Sequence, residues 1–338
     1  MSFVVRAASS DDVDQLYEMA KLTGGGFTNL PPDRGALNAK LARSAEAFAK
    51  TEGESANDLF LLALEDTETG QVRGTAQIFA AVGTRWPFYS YHITTYSQHS
   101  QELDRTFRAQ ILSLTTDYGG ASEVGGLFLH PGERAGGLGL LLARSRYLFI
   151  AMHRARFGEK VIAELRGVID EAGGSAFWDA LAGKFFGMSF QEADEFNSSH
   201  GNQFIADLMP KHPIYLDMLP ESARAVIGKP HPSGRAAMRM LEKEGFSYED
   251  YIDIFDGGPT MEAEIDKVRS IAESREATIA AIDSPSGTRS LAATGRLAAF
   301  RCCYADITMR GDGEIDIDET AARTLNVGKG MTVRHVAR

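Results

Sequence analysis

Residues 127–140 read LFLHPGERAGGLGL. An apolar run over 123–129 ends at His130-Pro131, and four glycines follow within 132–139. Residues 138–157 then carry the strongest helical pattern in the chain, with Leu138, Leu141, Leu142, Leu148, Phe149 and Met152 on one side. The segment therefore joins a strand to a long helix through a glycine turn. The first amides of such a helix have no intrahelical acceptor, and the helix dipole adds partial positive charge there. Glycines let the backbone come close to an anion. The loop reads as a phosphate cradle; a turn that simply caps the helix is the competing reading. It is not a Walker A loop, because no Gly-Lys-Ser/Thr follows, and it does not match G-x-G-x-x-G. Its pattern is R-x-x-G-x-G at Arg134, Gly137 and Gly139, with Gly136 beside them.

The rest of the chain limits which phosphate ligand is reasonable. At roughly 150 residues per domain, 338 residues suggest two domains or one with an appendage. Hydrophobic residues make up 43% and charged residues 24%, so the chain is globular rather than disordered. The 35 Lys and Arg against 46 Asp and Glu leave a net charge of −11, which argues against a nucleic-acid or membrane-surface binder. The apolar stretch 138–152 contains Arg144 and Arg146 and is too short to span a membrane. Cys302 and Cys303 are adjacent, which disfavours a mutual bridge and fits a reducing cytoplasm. No His-x-x-His or Cys-x-x-Cys pair exists, so no metal is expected.

Working outward, residues 3–8 read as a strand, and Ser9 with Asp12 has capping-box spacing for a helix that Gly24, Gly25 and Gly26 end. A helix is expected over 34–50, a hairpin over 59–82, and strands or loops over 86–118. Strand 161–165 and helix 177–186 follow, with residues 188–190 opening a further strand. Farther on come helix 234–244, strand 250–255 and a charged, solvent-facing helix 261–275. The small polar residues of 281–295 read as a linker, and a β-rich tail follows. Asp312, Glu314, Asp316 and Asp318 alternate with apolar residues, as on an edge strand with an acidic outer face.

The R-x-x-G-x-G loop is similar to the pyrophosphate signature of the acyl-CoA N-acyltransferase (GNAT-like) fold. VVRAASSDDVDQL (4–16) resembles the opening strand and helix of that fold, and FWDALAGKFFGMSF (177–190) resembles its last helix and following strand. AAMRMLEKEGFSY (236–248) resembles that ending a second time. The expectation is an α/β chain with a mixed sheet. A GNAT-like acyl-CoA-binding lobe would cover 1–200, a second, degenerate GNAT-like lobe would cover 201–280, and a linker with a small β-rich C-terminal module would cover 281–338.

Longer stretches resemble one family, arginine N-succinyltransferase. They are TGGGFTNLP (23–31), LFLHPGERAGGLGLLLARSRYLFIA (127–151), VIAELRGVIDEAGGSAFWDAL (161–181), LMPKHPIYLDML (208–219), VIGKPHPSGRA (226–236) and LEKEGFSYEDYIDIFDGGPTMEAEIDKVRSI (241–271). The resemblance implies transfer of succinyl from succinyl-CoA to the α-amino group of L-arginine in arginine catabolism. Succinyl-CoA and CoA are then co-substrates, and no tightly bound cofactor is expected. The alternatives are another acceptor such as ornithine, or a non-catalytic CoA-binding subunit. A homodimer or a heteromer with a related subunit is implied as well. The resemblance puts a proton donor on His231 and a succinyl-CoA contact on Leu127, where Gly126 replaces the family's Thr.

From the residues alone, His231 and His212 both read equally as loop histidines beside prolines. An arginine substrate needs carboxylates around its guanidinium and a cation or amide for its own carboxylate. Glu164, Arg166 and Asp170 stand at and just after strand 161–165, where ligands gather in open sheets, and Glu164 is a candidate base. A solvated loop is the competing reading for all three.

Overall fold

The computed structural model describes residues 2–23, 29–51, 57–134, 136–200, 203–209, 211–283 and 287–338. Strand β1 (Phe3–Ala7) leads through a 3-10 turn into helix α1 (Val13–Lys21). There the Asp12 carboxylate accepts from the Ser9 N–H at 2.8 Å, as the capping-box spacing requires. Gly24, Gly25 and Gly26, expected to end this helix, lie outside the described residues. Helix α2 (Arg34–Ala49) starts where the Asp33 carboxylate accepts from the Ala36 N–H at 2.7 Å. The hairpin β2 (Leu59–Asp66) and β3 (Gln71–Phe79) follows, then a second hairpin, β4 (Ser90–Ser100) and β5 (Arg105–Thr115). Strand β6 (Ser122–Leu129) enters the glycine loop, and α3 (Leu138–Met152) leaves it.

Beyond them lie β7 (Lys160–Glu164), α4 (Ala176–Ala180), α5 (Gly183–Phe186), α6 (Phe190–His200), α7 (Gln203–Leu208), β8 (Ile214–Tyr215) and α8 (Glu221–Arg224). Next are α9 (Arg235–Lys243), β9 (Ser247–Ile252), β10 (Pro259–Glu264) and α10 (Arg269–Ala272). The chain closes with β11 (Arg275–Asp283), β12 (Thr288–Thr294), β13 (Arg301–Gly311), β14 (Glu314–Asp318), α11 (Glu319–Leu325) and β15 (Thr332–Ala337). No described helix is long and apolar enough to cross a membrane.

Contacts divide the chain into two discontinuous units, one of residues 1–81, 122–159 and 264–338, the other of 82–121 and 160–263. This grouping differs from the sequential division 1–200, 201–280 and 281–338. One physical reason is the antiparallel pairing of β1 with β13, Val5 opposite Cys302, which ties the C-terminal strands to the N-terminal ones.

In the first unit, β1, β2, β3 and β6 run antiparallel in that order. Leu16, Met19, Leu37 and Leu41 of α1 and α2 cover Leu61, Ala63, Val72 and Phe128 of these strands. The antiparallel strands, the two helices after β1, and the glycine loop into α3 make the GNAT-like arrangement. An aromatic cluster joins helix α3 to the strands: the Phe149 ring lies 4.9 Å from Phe60, 5.8 Å from Phe48 and 5.2 Å from Phe300. The C-terminal strands close on themselves, because β12 pairs with both β15 and β13 while β11 and β14 complete the ring. Closure removes the sheet edges. In the second unit the strand order is β7, β10, β9, β4, β5, β8. Its core holds Tyr91, Leu112, Phe177, Trp178 and Ile252, with the Trp178 ring stacked on Phe255 at 5.7 Å.

Several expectations are corrected. Helix 138–157 ends at Met152; His153 leaves the helix and its Nδ1 donates to the Phe149 carbonyl at 2.8 Å. Helix 177–186 is two short helices, and residues 188–190 lead into α6 rather than a strand. Residues 259–264 are strand, not part of a charged helix: Met261 and Ala263 are buried while Glu264 is exposed, and that alternation is a strand's. Residues 281–295 are no linker, since β11 runs to Asp283 and β12 starts at Thr288; residues 284–286 lie outside the described residues. Their small side chains suit a narrow ring, in which Ala292 of this segment shares one core with Ala277 and Ala305. The acidic strand is β14, but it is not an edge, being paired with β11 and β13. Its carboxylates have local partners, Asp316 with Arg310 at 2.7 Å and Asp318 with the N–H groups of Ala321 and Asp306 at 2.8 Å.

Phe149 is fully buried and touches four other phenylalanine rings and the His153 ring. Phe149→Ala should lower the unfolding free energy by about 3–5 kcal/mol. Urea titration checks this, and an unchanged midpoint would show that the cluster does not hold α3.

Candidate active site

Strand β6 carries a bulge. Thr75 of β3 faces Phe128 while Gln77 faces Gly125, so Gly126 and Leu127 both stand opposite Ala76. Gly126 takes φ +56°, and a Cβ there would lie 2.5 Å from the Gln77 amide nitrogen. Gly126 and the Gln77 side chain therefore fit together in this protein: at this φ, a Cβ at position 126 would require Gln77 to move. The Gly126 carbonyl accepts from the Thr75 hydroxyl at 3.1 Å, and the Gly125 carbonyl accepts from the Arg146 guanidinium of α3 at 3.3 Å. The bulge thus takes half-buried Leu127 out of regular strand register.

Three residues after Leu127 the glycine loop begins its approach to α3. His130 accepts at Nδ1 from the Gly132 N–H at 3.1 Å, with Pro131 opening a 3-10 turn. Arg134 closes that turn; it is exposed and has no hydrogen-bond or ion-pair partner among the described residues. Gly136 and Gly137 both have positive φ, +79° and +82°. Space around a Cβ at Gly136 is open, whereas one at Gly137 would strike the Arg338 guanidinium. The Gly137 carbonyl accepts from the Tyr304 hydroxyl at 2.8 Å, and Arg338 sits 5.0 Å from the Tyr304 ring. Gly139 lies in the first turn of α3 with only Leu129 near, at 3.8 Å. Leu127, Arg134, Gly136, Gly137 and Gly139 therefore share one strand–loop–helix segment of the first unit. Arg338 beside it was not found from the sequence, because nothing local links residue 338 to residue 137.

His231 belongs to the second unit. Its backbone N–H donates to the Arg166 carbonyl at 2.7 Å, and Pro230 bridges Gly167 in antiparallel fashion. The His231 ring accepts at Nδ1 from the Ser233 N–H at 3.2 Å, with the Ser233 hydroxyl 2.7 Å away. This is the turn seen at His130-Pro131, repeated before α9. Burial and the Arg166 charge lower the His231 pKa. Arg166 and His231 are named separately from the sequence, as a substrate-binding candidate and a proton donor; the backbone bond joins their two segments. Glu164 is half-buried at the end of β7. Asp170 is exposed, and its carboxylate accepts from the Gly174 N–H at 2.7 Å, closing its own loop.

One missed residue organises this region. The Asp256 carboxylate accepts from the N–H groups of Gly167 at 2.7 Å and Gly258 at 2.8 Å, and the Gly257 carbonyl accepts from the Gly228 N–H at 2.8 Å. A Cβ on Gly258 would lie 2.6 Å from the Gly167 nitrogen, so the three segments meet backbone to backbone. Asp253 in turn accepts from the Phe255 and Asp256 N–H groups at 2.7 and 2.9 Å, and burial with the neighbouring Asp256 charge raises its pKa. The sequence signal was the turn Gly257-Gly258-Pro259, which marked a break without revealing what it meets.

Comparison with known proteins fits this geometry. The family model described as the arginine N-succinyltransferase beta subunit matches residues 3–270, and that of its C-terminal domain matches residues 275–337. The chain is 46% identical over 272 residues to an arginine N-succinyltransferase of Citrobacter koseri, covering 80% of this chain and 79% of that protein. It is 44% identical over 277 residues to one from Shigella dysenteriae serotype 1, covering 82% and 80%. The solved structure of arginine/ornithine succinyltransferase subunit AI from Pseudomonas aeruginosa matches with a TM-score of 0.89 and 32% identity, covering 99% of this chain and 98% of that one. With a bulged strand running into an R-x-x-G-x-G loop and both family models matched in order, the chain belongs to the arginine N-succinyltransferase family.

Proposed function

We propose that this chain transfers a succinyl group from succinyl-CoA to the α-amino group of L-arginine, releasing N2-succinyl-L-arginine and CoA. The observation that carries the reading is the bulge at Gly126–Leu127, in a chain of this family, placed directly before the glycine loop. The amides around Gly136, Gly137 and Gly139 suit a pyrophosphate at the start of α3. Arg134 and Arg338 add the positive charge that an anionic cofactor needs in a chain of net charge −11. The Leu127 N–H is assigned to the thioester carbonyl, where a preorganised donor stabilises the developing oxyanion.

The amine nitrogen attacks the thioester carbon; the C–N bond forms and the C–S bond breaks. Glu164 is assigned to take the proton lost by nitrogen, and His231 to give one to the departing sulfur. The His231 turn suits a donor. With Nδ1 accepting from the Ser233 N–H, the neutral ring carries its proton on Nε2. When the ring is protonated, the Ser233 hydroxyl can accept from Nδ1 instead. The lowered pKa makes the charged ring a stronger acid than free histidine. Arg166 is assigned to a substrate carboxylate and Asp170 to holding its own loop.

Ornithine as acceptor, or pairing with a related subunit, is the second reading, favoured by the name of the Pseudomonas neighbour. Thiol release measured with succinyl-CoA and acetyl-CoA against arginine, ornithine and lysine separates these. Highest turnover with succinyl-CoA and arginine is expected; no thiol release with any pair would reject the enzyme reading for this chain alone.

Three results should follow. His231→Ala should lower kcat roughly a hundredfold or more with little change in CoA affinity, and equal losses in both would point to a structural role. Arg134→Ala should raise the KM for succinyl-CoA about tenfold and leave kcat nearly unchanged. In an NMR titration the His231 ring should ionise below the ordinary histidine value, and Arg166→Leu should move it back up, since removing a nearby cation favours the charged ring. A downward move would contradict the assigned cause.

A further inference from the structure

Lys40 lies in the middle of α2, and its ammonium is buried. It donates to the Asn29 carbonyl at 2.6 Å and to Oε1 of Gln77 at 3.3 Å. Gln77 donates from Nε2 to the same Asn29 carbonyl at 2.6 Å, which closes a triangle. Among the described residues no carboxylate forms an ion pair with Lys40. Burial pushes its pKa down to about 8, the Arg43 charge pushes the same way, and Glu123 opposes them as the smallest of the three influences.

Gln77 links this ammonium to the bulge. It is the side chain that packs where a Cβ of Gly126 would stand, next to Leu127. The buried cation is therefore one side chain away from the strand position assigned to the thioester carbonyl.

Tying a loop carbonyl to a strand needs a hydrogen-bond donor but not a charge. A neutral amide would do it without the desolvation cost of a buried ammonium. A lysine ammonium has three donors, and two have partners here. An arriving anion would use the third and offset the desolvation cost. Both substrates of the proposed reaction carry a suitable anion: the succinyl group ends in a carboxylate two methylenes beyond the thioester carbonyl, and arginine carries an α-carboxylate.

We propose that Lys40 receives a carboxylate of one of the two substrates beside the β6 bulge, and so selects for a charged donor or acceptor. The inference rests on the acyl-transfer reading, but its test separates the two. Wild type, Lys40→Met, Lys40→Gln and Lys40→Arg would be compared as full chains. The substrates are succinyl-CoA against propionyl-CoA, and arginine against argininamide. Loss of a buried charge partner predicts that Lys40→Met and Lys40→Gln fall at least about thirtyfold in kcat/KM with the carboxylate-bearing substrate and less than threefold with its neutral analogue. Lys40→Arg should keep the preference. A loss confined to succinyl-CoA assigns the donor; a loss confined to arginine assigns the acceptor. Equal losses with all substrates, or none, would overturn the proposal and leave Lys40 a tie for the Asn29 carbonyl. Equilibrium binding of non-reactive thioether analogues of the two donors, and of arginine and argininamide, gives the same comparison without turnover. A wild-type chain that shows the Lys40-dependent binding preference but no turnover would fail the acyl-transfer reading and not this one.

Discussion

The geometry of the first unit depends on a single backbone constraint, the positive φ of Gly126 against the side chain of Gln77. Two residues of β6 are fitted opposite one of β3, and with Gln77 packed where a Cβ would stand, glycine fits there without displacing it. The Gly126 carbonyl is then held by Thr75, and the Gly125 carbonyl by Arg146. Leu127 follows out of register, and the strand continues only to Leu129 before the loop into α3. A donor for a thioester carbonyl, a cradle for a pyrophosphate and a buried ammonium behind Gln77 thereby come from adjacent parts of one packed arrangement. Rigid strand and helix segments hold them, which is what preorganised catalysis requires.

The second unit uses a different device for a similar purpose. His231 sits in a loop, and loops are ordinarily poor places to hold a proton donor. Here its backbone is bonded to Arg166, its neighbour bridges Gly167, and Gly167 is bonded to the buried Asp256 carboxylate. The ring is fixed separately by Ser233. Close backbone contacts at Gly167 and Gly258, and the Phe177 ring against Gly257, exclude larger side chains from this junction. The result is a histidine on a short loop with few conformations left to it.

Much of this was legible in the sequence, in proportion to how local each cause is. The helix expected over 34–50, the hairpin over 59–82 and the loop before α3 follow from periodicity, capping and glycine spacing, and all appear, the helix at Arg34–Ala49 and the hairpin strands within 59–79. The loop residues Arg134, Gly136, Gly137 and Gly139 could be named because one continuous segment carries them. His231 needed the family resemblance, since its local setting matches that of His212. The errors share one cause. Residues 259–264 have enough charge to pass for a solvent-facing helix, and 281–295 are small enough to pass for a linker, until their strand partners are known. Lys40, Asp256 and Arg338 were missed because their importance lies in distant neighbours: Gln77, Gly167 and Gly137.

The most direct test of the account is whether the Leu127 N–H meets the acyl carbonyl. With leucine amides labelled with nitrogen-15, the Leu127 resonance would be followed by NMR on saturation with a non-reactive ketone analogue of succinyl-CoA, in which a methylene replaces the thioester sulfur and the acyl carbonyl is kept, and, separately, with CoA. The account predicts a large downfield shift with the ketone analogue and a much smaller one with CoA, because only the former carries an acyl carbonyl at the thioester position. A Leu127 resonance that sits in the same place with both would contradict it.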